Sequence, residues 1–311
     1  MKVLPTLPML LALWLGIQSS AQAEVLVILP EQGGLAVAAQ SVRDGLLAAY
    51  YDRTTRPPLR FVHDDLALPI DQLLAQSISP QTQLVIGPLA RERVEALIAS
   101  APQLPVLALN QVEAEHPNVW EFALAPEEDV SRLIQLMRAD GVRELLLLKE
   151  EGQHGNSRFE EVLLEAWQAK LTPITQAPAR LKPAQGLLVL GSGAWLEMLN
   201  DLPTERLYST AFAFNQLQPF KLGLQFCDIP ALYRHEWPEL VRQAEQKPVS
   251  IAYQRLVAFG ADAWQLALLR LNQAPSANLS GRTGGLTLRQ HQIERRPDCR
   301  KATQTGWLRV R

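Results

Sequence analysis

The first residues of this sequence whose types and spacing could do chemistry are Gly33 and Gly34. They follow the apolar run of residues 25–29 and precede a segment with apolar residues at helical spacing, which is the order found in phosphate-binding folds. The dinucleotide pattern G-x-G-x-x-G is not met, because Leu35 and the residues after it supply no further glycine. Asp64 lies much farther along the chain than the roughly 20 residues expected of a ribose-binding acid. We therefore expect this turn to expose backbone N–H groups to a small anion or carboxylate, and not to hold a nucleotide.

The sequence contains no arrangement typical of an enzyme. Ser192, in the stretch VLGSGAW, lacks the G-x-S-x-G pattern that exposes a nucleophilic hydroxyl, so we predict that it caps a helix. The five histidines show neither H-x-x-x-H nor H-E-x-x-H spacing, which would place two metal ligands on one helical face. Glu127 and Glu128 stand in a predicted first turn, where carboxylates complement the helix dipole. We therefore predict no catalytic residue, no metal site and no cofactor.

The composition and the N-terminal segment indicate an exported protein. The formal net charge is −2 and there are no basic blocks, which argues against nucleic-acid binding. Lys2, an apolar stretch and an A-x-A end are typical of a secretory signal peptide over residues 1–23. An uncleaved anchor helix is the alternative, but Pro5 and Pro8 interrupt the apolar stretch. No later apolar run is long enough for a transmembrane helix.

Apolar runs and helical spacings alternate along the rest of the chain. The predicted strands are 25–29, 59–63, 83–86, 106–109, 144–148, 186–190, 206–210 and 223–226. The predicted helices are 70–77, 91–100, 127–139, 157–170, 194–199 and a long one over 250–272. Such alternation predicts parallel sheets with helices on both faces.

The order of these elements predicts two lobes. The pattern restarts after residue 124, and the long helix follows both units, so we expect the chain to cross back to the first lobe. Lobe 1 then comprises residues 24–124 and 250–278, and lobe 2 comprises 125–249 and 279–311 with a strand-rich tail. The crossings form a hinge beneath a cleft that faces the carboxyl ends of the strands.

Cys227 and Cys299 are the only cysteines of the sequence, in an export context that permits disulfides. From their spacing alone they either bridge each other or are two small buried residues. Cys227 ends a predicted strand of lobe 2, and Cys299 follows the tail assigned to the same lobe. We therefore predict a disulfide between them.

Several stretches taken together resemble a known family. In the first lobe these stretches are ILPEQGGLAVAAQSVRDGLLAAYYD, LVIGPLARERVEAL, LPVLALN and FALAPEED. Later in the chain they are LQFCDIPALY at 224–233, RLVAFGADAWQLALLRL at 255–271 and LSGRTGGLTLRQHQIERR at 279–296. They resemble the C-terminal domain of the penicillin-binding protein activator family, the LppC or LpoA-type proteins, whose fold is that of type I periplasmic binding proteins.

The resemblance implies an α/β, two-lobed type I periplasmic-binding-protein-like fold, each lobe a doubly wound parallel sheet, with a multi-strand hinge. It also implies a non-enzymatic periplasmic regulator whose partner is a peptidoglycan synthase, a class A penicillin-binding protein. Long family members are outer-membrane lipoproteins, but no cysteine stands at the predicted cleavage site, so we expect no lipid anchor here. A soluble solute-binding receptor of an ABC transporter is the alternative, and a hydrolase is a distant third.

The resemblance also suggests which residues line the cleft. The loops IGPLA and LALNQ correspond to loops that hold the ligand in amino-acid-binding relatives, but here they contain no Ser or Thr. Asn110 alone cannot pair both charges of a zwitterion, so we predict no tight binding of free amino acids, although a small ligand of another kind stays open. The loop at 152–156 faces the cleft from lobe 2 or is an ordinary loop that caps a helix. The predicted cleft-lining residues are Gly33, Gly34, Leu89, Ala108, Asn110, Gly152, Gly155 and Asn156.

Overall fold

The computed structural model of this 311-residue protein describes residues 23–152, 157–213, 221–274, 276–289 and 292–310. The predicted signal peptide, apart from Ala23, lies outside these residues. In the described ranges, no helix combines the length and the apolar character that a membrane crossing needs.

Strands and helices alternate through most of the described chain, as predicted. The first run contains β1 (Glu24–Leu29), α1 (Ala36–Tyr51), β2 (Leu59–His63), α2 (Ile70–Ser77), β3 (Thr82–Ile86), α3 (Arg91–Ala99), β4 (Val106–Ala108) and β5 (Val119–Glu121). The second run contains α4 (Pro126–Ala139), β6 (Glu144–Lys149), α5 (Ser157–Ala166), β7 (Lys170–Ile174), β8 (Gln185–Leu190), α6 (Gly193–Met198), β9 (Leu207–Tyr208) and β10 (Leu224–Asp228).

The rest of the described chain begins with two helices and ends in strands. These elements are α7 (Pro238–Gln246), α8 (Ile251–Leu271), β11 (Ser276–Ser280), β12 (Gly285–Arg289), β13 (Gln292–Arg296), β14 (Asp298–Thr303) and β15 (Gly306–Val310). The long helix predicted over 250–272 is confirmed as α8, with Ser250 and Asn272 as its cap residues.

Two sheets organise the two lobes, so the predicted fold class is confirmed. The first sheet has the order β11-β12-β13-β5-β4-β3-β1-β2, and the second has the order β15-β14-β10-β9-β8-β6-β7. In each sheet the five strands that come first in the chain are parallel and lie in the order 2-1-3-4-5, which is a doubly wound arrangement. Both sheets are mixed, because antiparallel strands from the tail extend one edge of each.

Helices cover both faces of the first sheet. Val25 and Val27 of β1 pack in the same core as α1 and α8, whereas Leu26 and Ile28 pack against α2 and α3. This two-sided burial explains why β1 is an unbroken apolar run and not an alternating one.

The helices α1 and α8 approach each other at two glycines. A Cβ atom at Gly45 would overlap the carbonyl oxygen of Val257, and one at Gly260 would overlap the carbonyl oxygen of Val42. Only a residue without a side chain fits at either point, so the two glycines allow α8 to return onto the first lobe.

The predicted assignment of residues 279–311 to lobe 2 is wrong for the first part of this tail. β11, β12 and β13 belong to the first sheet, and only β14 and β15 belong to the second. The reason is apolar packing: Leu286 and Leu288 of β12 are buried in the first-lobe core together with Phe259 and Trp264 of α8. The chain therefore crosses between the sheets at Pro297 as well as after β5 and after β10.

Candidate functional site

Two of the predicted cleft-lining residues border a large cavity, and four others that the structure describes do not. Leu89 and Asn110 line a cavity of about 1670 Å³. Ala108 is fully buried in the core between the first sheet and α2 and α3, so the prediction that it lines a cleft is wrong. Gly33, Gly34 and Gly152 are exposed and do not border this cavity, whereas Gly155 and Asn156 lie outside the described residues.

Asn110 uses its side chain to hold its own loop. Its Nδ2 donates to the carbonyl oxygen of Leu89 at 3.1 Å, and its Oδ1 accepts from the backbone N–H of Gln111 at 2.9 Å. The amide thus uses one of its N–H donors and one of its acceptor positions within its own loop.

The cavity lies at the seam between β5 and β13, and we name it the seam cavity. Among the described residues, the two strands share the registered pair Glu121 and Gln292. Apolar side chains of β5, α8 and β13 form part of the lining, and Arg158 reaches it from α5 of the second lobe. Carboxylates outnumber guanidinium groups around it: Glu113, Glu115, Glu121, Glu127, Glu128 and Glu294 against Arg91, Arg158 and Arg289.

Glu121 is the half-buried acid of this lining. Burial raises the pKa of its carboxyl to about 7, Glu115 adds to the rise, and the Val112 N–H and Arg91 oppose it. The hydrogen bond from Val112 is long, at 3.3 Å. Such a carboxyl changes charge near neutral pH, and so the charge of the seam cavity depends on pH.

The predicted role of Ser192 is confirmed. Its Oγ accepts from the backbone N–H of Trp195 at 3.2 Å and so caps α6. Glu150 in turn accepts from the backbone N–H of Ser192 at 2.6 Å and from its hydroxyl at 3.1 Å. The hydroxyl is therefore held in a cap. No group of three or more His, Cys, Asp or Glu residues in the described ranges is placed to hold a metal ion.

The lobes are joined by a buried ion pair that the sequence reasoning missed. Arg295 of β13 donates through Nε to Glu128 and through Nη2 to Asp129, both at 2.8 Å. Its backbone N–H also donates to Glu128, and Nη2 reaches the carbonyl oxygen of Ala125. The predicted dipole role of Glu128 is therefore incomplete, because its carboxylate also binds a strand of the other lobe. Two features of the sequence could have indicated this ion pair. They are the acidic residues that follow the first crossing between the lobes and the arginines that precede Pro297.

A second buried pair crosses the same hinge. Arg255 of α8 donates through Nε and Nη2 to the two carboxylate oxygens of Asp228, at 2.9 and 2.8 Å. Asp228 also accepts from the hydroxyl of Tyr233 and the backbone N–H of Ile229. This pair binds the first-lobe helix to the last parallel strand of the second lobe.

A disulfide lies beside this pair. Cys227 and Cys299 are bridged with an S–S distance of 2.01 Å and a sequence separation of 72. The two residues face each other in the antiparallel pairing of β10 with β14, next to the pair Asp228 and Asp298. The bridge therefore fixes the strand pair from which the hinge acids project.

Comparison with known proteins shows which family this chain resembles. The family model described as "LppC putative lipoprotein" matches residues 5–179 and 199–298. The penicillin-binding protein activator LpoA of Klebsiella pneumoniae subsp. pneumoniae is 30% identical over 80% of this chain and 43% of its own length. The chain thus spans about half the length of the curated relatives that it matches.

Solved structures show the same fold. The C-domain of LpoA from Haemophilus influenzae, described as a regulator of PBP1A, has a TM-score of 0.73 and 21% identity over 93% of this chain and all of that chain. A "putative branched-chain amino acid ABC transporter" from Chromobacterium violaceum has a TM-score of 0.73 and 25% identity over 90% of this chain and all of that chain. The fold is therefore shared by regulators and by transporter-associated proteins. Because the family model matches most of its length, this chain belongs to the LppC family.

Proposed function

We propose that this protein regulates peptidoglycan synthesis in the periplasm by binding a class A penicillin-binding protein. The observation that carries the proposal is the match to the LpoA C-domain, a regulator of PBP1A, which this chain covers from end to end. The curated relatives bear the name penicillin-binding protein activator, in agreement with this role.

The chemistry of the described residues supports a regulator that is not itself an enzyme. A regulator needs no nucleophile or metal, because it acts by binding one conformation of its target more tightly than another. Ser192, the residue with the most enzyme-like surroundings in the sequence, serves as a helix cap. The disulfide is in keeping with an exported protein.

The test is a binding and rate measurement with the complete chain. Immobilised protein is incubated with detergent-solubilised membranes, and class A synthases are detected among the retained proteins. Glycan polymerisation by the purified synthase is then followed with increasing amounts of this protein. We expect specific retention and a faster rate. A leucine-binding periplasmic protein of the same fold serves as the control that should do neither. No retention and no rate change at saturating protein would contradict the proposal.

A solute receptor is the second candidate, supported by the likeness to the transporter-associated chain. Amino-acid recognition requires hydroxyls or free amides for the ligand charges, whereas Asn110 is engaged within its own loop. We therefore expect calorimetry with the twenty amino acids to detect no tight binding. A micromolar dissociation constant for leucine would favour the receptor over the regulator.

A further inference from the structure

Five arginines gather around one buried carboxylate where the chain crosses from the first sheet to the second. The carboxylate is that of Asp298, the first residue of β14. The arginines come from α4, from the segment after β10, and from β13, β14 and β15: Arg132, Arg234, Arg296, Arg300 and Arg309. We name this group the Asp298 arginine cluster.

Three of the arginines contact Asp298 directly. Arg309 Nη2 lies 2.7 Å from Oδ1, whereas Arg234 Nη1 and Arg300 Nη2 lie 3.5 and 3.7 Å from Oδ2. Arg132 is close enough to interact with Asp298 and to be repelled by Arg296 and Arg309. One carboxylate is thus shared by three guanidinium groups: Arg309 donates a hydrogen bond to Oδ1, whereas Oδ2 is buried without a hydrogen-bond partner among the described residues.

The other nearby acids leave most of this positive charge uncompensated. Glu236 accepts from Nε and Nη2 of Arg234 and also attracts Arg309. Asp228 attracts Arg300 as well, but both of its oxygens are hydrogen-bonded to Arg255, which lies outside the cluster. Among the described residues, the cluster therefore holds an excess of positive charge.

The lack of compensating negative charge is clearest at Arg300, which is only 4% exposed. Its Nε and Nη2 are buried without a hydrogen-bond acceptor among the described residues, and so is Nε of Arg132. Burial lowers the pKa of Arg300, and Asp298, Tyr233 and Asp228 compensate only in part, with the guanidinium lying 4.4 Å from the centroid of the Tyr233 ring. Burial also lowers the pKa of Arg132, with further lowering from Arg296 and Arg309. Buried guanidinium groups that lack acceptors are uncommon in folded proteins, and their N–H groups are available to an anionic ligand.

We propose that the Asp298 arginine cluster binds an oxyanion of the phosphate type. Planar guanidinium groups recognise phosphate oxygens through paired hydrogen bonds, and several arginines from different elements can surround one tetrahedral anion. A doubly charged oxyanion compensates more of the excess charge than a single carboxylate does. This inference goes beyond the proposed function and does not depend on it.

The probe is inorganic phosphate, titrated into the complete protein by calorimetry at constant ionic strength with chloride as the reference anion. The test variant is Arg309→Gln, because this side chain is 60% exposed and the glutamine amide retains hydrogen-bond donors for Asp298 while removing the charge. The matched control is Arg242→Gln, an arginine that is 55% exposed and pairs with Asp52 at 2.8 Å far from the cluster. We expect saturable binding of one phosphate, about tenfold weaker in Arg309→Gln and unchanged in Arg242→Gln.

Each result of these titrations either supports or contradicts the proposed phosphate binding. The absence of saturable phosphate binding to the wild-type protein would overturn the proposal, as would equal weakening in the two variants. Co-sedimentation with phosphatidylglycerol vesicles, but not with phosphatidylcholine vesicles, distinguishes a lipid source of the phosphate from a free one. Loss of that co-sedimentation in Arg309→Gln supports the lipid source, and phosphate binding without co-sedimentation supports the free ion. The rate of glycan polymerisation is a separate readout, so failure of the proposed function leaves this test intact.

Discussion

Two arginines at the hinge, on strands that follow each other in the chain but belong to different sheets, are almost equally buried and differ in the partners of their guanidinium groups. Arg295 is 5% exposed and Arg300 is 4% exposed. Arg295 binds two carboxylates and a backbone carbonyl, whereas Arg300 has two nitrogens without an acceptor among the described residues. Burial alone lowers the pKa of either group. Asp129 and Glu128 outweigh this effect and raise the pKa of Arg295, but Asp298 does not do so for Arg300, whose pKa stays lowered.

The difference shows how the same residue type serves two purposes. Arg295 is a cross-link, because its partners sit on α4 of the second lobe while its own strand belongs to the first sheet. Arg300 is a buried charge with less compensation than its burial requires, as expected of a residue that helps to bind a ligand. Substitutions at the two positions should therefore have very different effects on stability.

The largest effect is expected for Arg295→Met. This change leaves Glu128 and Asp129 at the hinge without their counter-charge, and loss of one member of a buried pair costs about 3–5 kcal/mol. Urea denaturation measures the free energy of unfolding. The control Arg242→Gln, at an exposed ion pair, should stay within about 1 kcal/mol of wild type. A loss from Arg295→Met as small as that of the control would contradict the cross-link.

Removal of the disulfide should come next. The double substitution Cys227→Ser with Cys299→Ser is expected to lower the free energy of unfolding by about 2–4 kcal/mol, because the unfolded chain loses a constraint. The same bridge holds together the strands that carry Asp228 and Asp298. We therefore expect phosphate binding to weaken as well. A double variant with wild-type stability would show that the β10–β14 pairing alone suffices.

Arg300→Met should have a small effect and is the direct counterpart of Arg295→Met. An apolar side chain of similar length removes a poorly compensated charge, so we expect a change within about 1 kcal/mol, in either direction. Thermal unfolding with and without phosphate adds a second readout. Phosphate should raise the midpoint less in this variant than in the wild-type protein. A loss as large as that of Arg295→Met would make Arg300 a structural residue and not a ligand-binding one.

Much of the fold was predictable because buried parallel strands and long helices leave strong local patterns. β1 and α8 were found nearly at their bounds, since apolar runs and helical periodicity extend over their whole length. The edge strand β7 was missed because it contains Pro173 and is only partly buried, and the predicted helix over 157–170 ran into its start. Edge strands bury too little apolar surface to show a clear pattern.

The site was much less predictable, because it depends on contacts between distant parts of the chain. Glu128 and Arg295 are 167 residues apart, and no local pattern connects them. The glycine turn at Gly33 was recognised correctly as a turn, but the cavity lies elsewhere, at the seam with β13. The seam forms because β13 of the tail joins the first sheet. The sequence had assigned this part of the tail to the second lobe, so the seam could not be predicted.

A buried charge can also be that of an acid, and Glu121 is the example. Its ionisation is expected to have the smallest effect on the free energy of unfolding. Its pKa is raised to about 7 by burial, so the folded state holds a proton that the unfolded state releases at a pH near 4. The stability from this group is fully present below the unfolded pKa and is lost as pH rises through about 7. Because the side chain is only half-buried, we expect a decline on the order of 1 kcal/mol between pH 5 and pH 8.

The variant Glu121→Gln should flatten this decline without abolishing it. Glu128 also has a pKa raised to about 7, since burial outweighs the attraction of Arg295, and it contributes to the same pH range. Urea denaturation at several pH values compares the two slopes. If Glu121→Gln keeps the full wild-type slope, then Glu121 ionises freely and the seam cavity stays negatively charged throughout this range. If the slope is reduced, the cavity loses negative charge as the pH falls, whereas the Asp298 arginine cluster keeps its positive charge, and the two regions respond differently to acid.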